Sequence, residues 1–219
     1  MTLPEAVLFD FDGVLVDSES YHRRMWASAF ETLFASSIPD YHTADLTGRA
    51  SHAIAAVITD MAGVPHMAGE LYQTRIRIMS QSSDAPDPAP GARACTDALS
   101  ARGVPYVVVS NAPSVYVAGA CSSLGFVPEM TFGVDDYGGR HKPDPWPYVN
   151  AARQLSFRDG QFANLLVIED SEPGVRAGVA AGIPVLGLAR NGSPETLLAG
   201  GARAVIQDLS QIDTFLNFS

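Results

Sequence analysis

The sequence predicts an α/β protein, a doubly wound parallel sheet carrying an α-helical insert, and three observations lead there. Apolar runs alternate with helical patterns from Pro90 onward. An earlier apolar run, Ala6 to Phe9, ends in two acids, Asp10 and Asp12. From about Ser20 to Ser83 the apolar residues recur at helical spacing, with no strand-like run among them.

Taken in order, Ala6 to Phe9 reads as a buried strand that Gly13 punctuates, so Asp10 and Asp12 emerge at its carboxyl end. Side chains two residues apart share a face. The insert begins after a short outward linker near Val16 to Ser18. Met25, Trp26, Ala29, Phe30 and Leu33 form the stripe of one helix, and Ile54, Val57, Ile58 and Met61 that of another. The proline-rich stretch from Ser82 to Gly91 returns the chain. Tyr106 to Val109, Leu165 to Ile168, Val185 to Leu188 and Ala204 to Ile206 are then the further strands. Gly103, Gly125 and Gly182 follow helix-like stretches where a positive φ is needed. The Ala/Gly-rich run Val175 to Gly182 lets its helix approach the sheet closely. Residues 1–17 with 88–219 are expected to form the core, and residues 18–87 the insert.

The chain has 219 residues, 47% of them hydrophobic, which is ample for a core of this size. Its formal net charge of -10 and the lack of a basic cluster interleaved with aromatics argue against a nucleic-acid partner. The same charge repels an anionic substrate at long range, so anion binding has to rest on a few local cations and backbone amides. Cys95 and Cys121 fall in helical segments without CxxC spacing and read as buried thiols. MTLPEAVLFD has neither a basic n-region nor a signal-length apolar run, and no run approaches a membrane span. A cytoplasmic protein without a membrane partner, a monomer or weak dimer, is expected.

Two acids crowded onto one strand end repel, which suits a hard cation or a nucleophile beside a proton donor. Three more polar clusters sit where strands of the sheet are expected to end: Val107-Val108-Val109 leads into Ser110-Asn111, Gly139-Arg140-His141 into Lys142-Pro143-Asp144-Pro145, and Val167-Ile168 into Glu169-Asp170-Ser171. In open α/β sheets ligands bind beyond the carboxyl ends of the strands, so these groups can converge on Asp10 and Asp12. Asp144 and Pro145 read as N-cap and first residue of a helix, and Ser171 as the N-cap of another.

DFDGVLVDS, VVSNA, HKPDPWPY and VIEDSEPGVRAGVAAG, in that order, resemble the haloacid dehalogenase superfamily of aspartate-nucleophile phosphotransferases. The likeness covers nearly the whole chain and extends to the helical-cap subgroup that includes β-phosphoglucomutase and sugar-phosphate phosphatases. It implies a Rossmann-like core with an inserted cap, Asp10 as nucleophile and Asp12 as general acid and then base. It also implies Mg²⁺ on Asp10, the Asp12 main-chain carbonyl and Asp170, with Glu169 as a supporting or alternative ligand. Ser110 and Lys142 would neutralise phosphoryl charge, and Asn111 would add an amide to the substrate. In the cap, His22, Arg49 and Arg77 sit where those families carry substrate-facing residues. A purely structural reading competes for His22, which shares a helical face with Trp26, and for Arg77 as a surface charge.

The leading expectation is therefore a Mg²⁺-dependent phosphatase of a small phosphorylated metabolite, a sugar phosphate above all, working through an aspartyl-phosphate. A phosphomutase is the alternative. The insert carries no lysine between Ser20 and Ser83, where the mutase has one that contacts phosphate, and this favours the phosphatase. A dehalogenase needs no second acid, and the phosphonate-cleaving branch needs a cap lysine; Lys142 is the single lysine of the chain. A phosphometabolite sensor without turnover is the third reading.

Overall fold

The computed structural model describes residues 3–40, 50–82, 84–158 and 160–212. The chain begins with β1 (Ala6–Phe9) and β2 (Val16–Asp17), continues through α1 (Glu19–Phe34), α2 (Ser51–Met61) and α3 (Ala68–Gln81), and reaches β3 (Asp87–Pro88). There follow α4 (Ala92–Ala101), β4 (Tyr106–Val109), α5 (Ser114–Leu124), β5 (Met130–Phe132) and α6 (Trp146–Gln154). The remainder is β6 (Leu165–Glu169), α7 (Glu172–Ala180), β7 (Val185–Leu188), α8 (Pro194–Ala199) and β8 (Ala204–Ile206). The chain divides into two compact units, Met1–Asp17 with Asp87–Ser219, and Ser18–Pro86. The antiparallel pair β2 and β3, with Asp17 opposite Asp87, lies where the chain leaves the first unit and re-enters it.

The first unit holds a parallel six-stranded sheet in the order β5-β4-β1-β6-β7-β8, so the α/β class and the winding follow the expectation. From β1 the chain moves outward through β4 to β5, then returns to β6 on the other side of β1. That reversal opens a crevice at the carboxyl end of β1. Strands β1, β4 and β7 are buried throughout, as sheets covered on both faces require. Strand β5 was not expected. Its three residues, Met130, Thr131 and Phe132, are half-buried at the sheet edge and too few to show a period.

Alternation along the strands sorts the core. Ala6 and Leu8, Val107 and Val109, and Leu165 and Val167 pack with Tyr148, Ala151 and Ala152 of α6 and with Val175 and Ala177 of α7. The intervening Phe9 and Tyr106 meet edge to face at 5.8 Å. Both cysteines are buried free thiols, and burial pushes the Cys121 thiol up to about 12, so it packs as an apolar group. Gly178 explains how α7 lies so near the sheet: a Cβ there would stand 2.7 Å from Val185 Cγ2.

The second unit packs Trp26, Ala29 and Phe30 of α1 against Ala55 and Ile58 of α2 and Leu71 of α3. One expected core residue is displaced. Met61 is 50% exposed, and Thr59 is buried in the same helix because its hydroxyl is satisfied by the Ala55 carbonyl at 2.9 Å. Among the described residues no helix is long and apolar enough to cross a membrane. Gly178→Val should lower stability by about 1–3 kcal/mol through overpacking against Val185. Thermal unfolding checks this, and an unchanged Tm would contradict so close an approach of α7 to the sheet.

Candidate active site

Sheet register sets the site. Phe9 pairs with Val108 on one side and Ile168 on the other, so Asp10, one residue on, stands level with Val109 and Glu169. The Asp10 amide continues the ladder by donating to the Ile168 carbonyl at 3.0 Å. Asp10 extends the alternation of Ala6 and Leu8, and Glu169 that of Leu165 and Val167, so both carboxylates turn toward the face that α6 covers.

Lys142, from the loop before α6, enters between them. Its Nζ donates to Asp10 Oδ1 at 2.6 Å, to Glu169 Oε1 at 2.6 Å and to the Val109 carbonyl at 2.7 Å. Three acceptors use all three ammonium hydrogens, which is what burial to 4% exposure demands. Asn111 holds this lysine by its main chain: Asn111 Nδ2 donates to the Lys142 carbonyl at 3.2 Å, and the Lys142 amide donates to Asn111 Oδ1 at 3.1 Å. The following helix starts one residue later than expected. Pro145 is its N-cap because its carbonyl accepts the first helical bond, from Val149, while Asp144 Oδ1 still accepts from the Trp146 amide at 2.8 Å.

Glu169 is fully buried and saturated. Its Oε1 accepts from Lys142 and from the Tyr148 hydroxyl at 2.8 Å, and its Oε2 from the Ser171 amide at 3.3 Å and hydroxyl at 3.0 Å. Ser171 is the N-cap of α7, accepting from the Gly174 amide at 3.3 Å. A Cβ at Gly174 would fall 1.8 Å from Glu169 Oε1, so only glycine lets this carboxylate rest on the first turn of α7.

Asp12 leaves the strand and is held from α5. Tyr116 donates its hydroxyl to Asp12 Oδ1 at 3.0 Å, and Ser110 Oγ makes a long contact of 3.5 Å with Oδ2. Ser110 is itself fixed by the Ala112 amide, which donates to its Oγ at 3.0 Å.

The electrostatics call for a cation. Burial, opposed by Lys142 and reinforced by Glu169 and Asp12, pushes the Asp10 carboxyl from 3.8 up to about 8. Desolvation and then the charges of Asp10 and Glu169 drive Asp170 well above the usual carboxylate range. Burial alone would depress the Lys142 ammonium, but Asp10 and Glu169 outweigh it and hold it above its ordinary value. Asp10, Glu169 and Asp170 each offer an oxygen within 4.8 Å of the others, which fits a hard cation. Because the protein already occupies both oxygens of Glu169, Asp10 and Asp170 are the pair with capacity to ligate. Gly13 agrees with this. At φ +86° its absent Cβ would lie 1.9 Å from Asp170 Oδ2, so Asp170 rests against Gly13, the residue that follows Asp12.

The expected core residues Asp10, Asp12, Ser110, Asn111, Lys142, Glu169 and Asp170 thus all belong to the first unit and form one connected set. The expected residues of the insert are less uniform. His22, in α1, has Nδ1 at 2.8 Å from Arg75 Nη2; a guanidinium can only donate, so Nδ1 accepts and a neutral ring carries its proton on Nε2. Arg75 itself is 2% exposed and stacks on Trp26 at 4.5 Å. Arg77 is exposed and donates to Thr74 Oγ1 at 2.8 Å, so Arg75 rather than Arg77 is the arginine joined to His22. Arg49 lies outside the described residues. Sequence reasoning missed Tyr116, Tyr148 and Arg75. The available signal for the tyrosines was their place in the first turn of a helix just after a polar cluster.

With the metal removed, the raised Asp10 carboxyl gives a signed expectation. Between 3.8 and about 8 the folded state retains a proton that the unfolded chain has lost, so this group's contribution to stability declines as pH rises through that window. Asp10→Asn should flatten that decline, and added Mg²⁺ should raise Tm most at the alkaline end, where the carboxylates no longer bind protons. Melting curves of chelator-treated protein with and without Mg²⁺ check this. A pH-independent Mg²⁺ effect would contradict it.

Comparison with known proteins identifies the family. A family model described as haloacid dehalogenase-like hydrolase matches residues 4–182. The chain is 30% identical over 215 residues, 95% of each chain, to validoxylamine A 7'-phosphate phosphatase of Streptomyces hygroscopicus subsp. limoneus. It is 29% identical over 192 residues, 84% of this chain and 82% of the relative, to 6-phosphogluconate phosphatase of Escherichia coli. Among solved structures, a HAD family hydrolase of Deinococcus radiodurans with bound phosphate and sodium superposes with a TM-score of 0.73 at 27% identity, covering 99% of this chain and 96% of the other. The chain therefore belongs to the haloacid dehalogenase-like hydrolase family, as an enzyme of its phosphatase type.

Proposed function

We propose that this enzyme hydrolyses a small aliphatic phosphate monoester, a sugar or polyol phosphate, through an aspartyl-phosphate on Asp10. The observation that carries the reading is the Lys142 ammonium, 2.6 Å from both Asp10 and Glu169, with Asp170 in the same acidic cluster and Asp12 two residues beyond Asp10. Two of the relatives, at 30% and 29% identity, are named for phosphorylated polyhydroxy compounds, which supports the substrate class.

In the first step an Asp10 carboxylate oxygen attacks phosphorus, the bond from phosphorus to the substrate oxygen breaks, and Asp12 gives that oxygen its proton. In the second, Asp12, now a carboxylate, takes a proton from water as the water attacks phosphorus. Inorganic phosphate leaves and Asp10 is regenerated. Ser110 supplies a hydroxyl to the phosphoryl oxygens. Lys142 favours the ionised form of the nucleophile and aims it, Asn111 holds Lys142, and Glu169 anchors it from the other side. Asp10, Asp170 and the Asp12 carbonyl would hold Mg²⁺, which when bound offsets the negative charge of acids and phosphate.

Asp10→Asn should abolish phosphate release, and Lys142→Ala should slow it by about 10²–10³-fold. A panel of sugar and polyol phosphates, nucleotides and glycolytic acids, assayed with Mg²⁺ for inorganic phosphate, checks both the activity and the substrate class. Substantial turnover by Asp10→Asn would overturn the nucleophile assignment. Interconversion of phosphosugar isomers without phosphate release would overturn the hydrolase reading.

A further inference from the structure

We propose that Tyr116 is a positioning residue for proton transfer to the leaving group, acting through Asp12; this deepens the reading above and rests on it. Asp12 lies beyond the end of β1, where the chain turns through Gly13 at φ +86° and the Asp12 main chain bridges to Val16, while its carboxylate projects toward α5. A helix donor, from α5, fixes the angle of that carboxylate. The Tyr116 hydroxyl donates to Asp12 Oδ1 at 3.0 Å, a shorter contact than the 3.5 Å from Ser110 to Oδ2.

The phenol is itself immobilised. Tyr116 is 4% exposed, and its ring meets Phe11 edge to face at 5.6 Å. The first turn of α5 is tied down by Asp135, which accepts from both the amide and the hydroxyl of Ser114. A tyrosine held at ring and backbone offers its hydroxyl in one place. Asp12 is thereby presented at one angle, and proton transfer in the transition state is sensitive to that angle.

The consequence depends on the leaving group. An aliphatic alkoxide is a poor leaving group and needs the Asp12 proton, whereas p-nitrophenolate departs without one. Tyr116→Phe preserves the ring and its contact with Phe11 and removes only the donor. It should lower kcat/KM for the sugar phosphate of the panel that the wild type hydrolyses fastest by about tenfold, and that for p-nitrophenyl phosphate by less than about twofold. The parameter kcat/KM covers only steps through transfer to Asp10, so the later attack of water does not enter it. Asp12→Asn closes the cycle: with that substitution present, Tyr116→Phe should leave both values unchanged.

Equal losses on the two substrates, or no loss on either, would overturn the assignment of Tyr116 while leaving the phosphatase reading intact. So would a loss on the sugar phosphate that persists undiminished beside Asp12→Asn. If Tyr116→Phe proves unstable, Tyr116→Leu provides a second hydroxyl-free chain in which the same substrate ratio is read. A wild-type enzyme that releases phosphate from neither ester would instead overturn the phosphatase reading, and the role of Tyr116 with it.

Discussion

A single buried ammonium, Lys142, shared between Asp10 and Glu169 at 2.6 Å each, is the constraint around which the first unit is organised. Such a bridge is poor evidence of stability, since desolvating its charges costs as much as their attraction returns. Removing one member is another matter. It would leave a buried charge unmatched, at a cost of about 3–5 kcal/mol. Every nearby device keeps the bridge complete: the Val109 carbonyl takes the third hydrogen, Asn111 pins the lysine backbone, and Tyr148 and Ser171 fill the remaining acceptor positions of Glu169.

This arrangement divides the acids by function. Glu169 has four donors and is spent on the lysine, so its charge is structural. Asp10 has its lysine on one oxygen and, without a further cation, a carboxyl pushed up to about 8 by burial. A nucleophile with that value is only partly ionised near neutrality. Asp170, resting on Gly13, completes the site of negative charge that a divalent ion would relieve. The local shortage of positive charge mirrors the chain's formal charge of -10, and it makes the recognition of an anion a matter of placement at close range.

Much of this was legible in the residues. β1, β4 and β7 are short apolar runs with acids or polar clusters at their ends, and a buried parallel strand writes itself that way. The core acids could be read because they follow such runs, and Lys142 because HKPDPWPY resembles a motif of the family. Edge strand β5 could not, being three half-buried residues. Met61 was misplaced because spacing alone does not reveal that Thr59 can bury its hydroxyl on the Ala55 carbonyl. Tyr116, Tyr148 and Arg75 stayed hidden for a related reason: in a sequence, a tyrosine in a helix looks like core and an arginine like surface. Asn111 was read as a substrate amide, and only the fold reveals its two hydrogen bonds to the Lys142 backbone.

The most direct test of the account is to find where the phosphoryl group goes. Wild-type protein mixed with substrate and Mg²⁺, quenched in acid within the first turnovers and reduced with borohydride, should yield homoserine in place of Asp10 on peptide mapping. Homoserine at another position, or none at all from an enzyme that is turning over, would contradict a nucleophile held by Lys142.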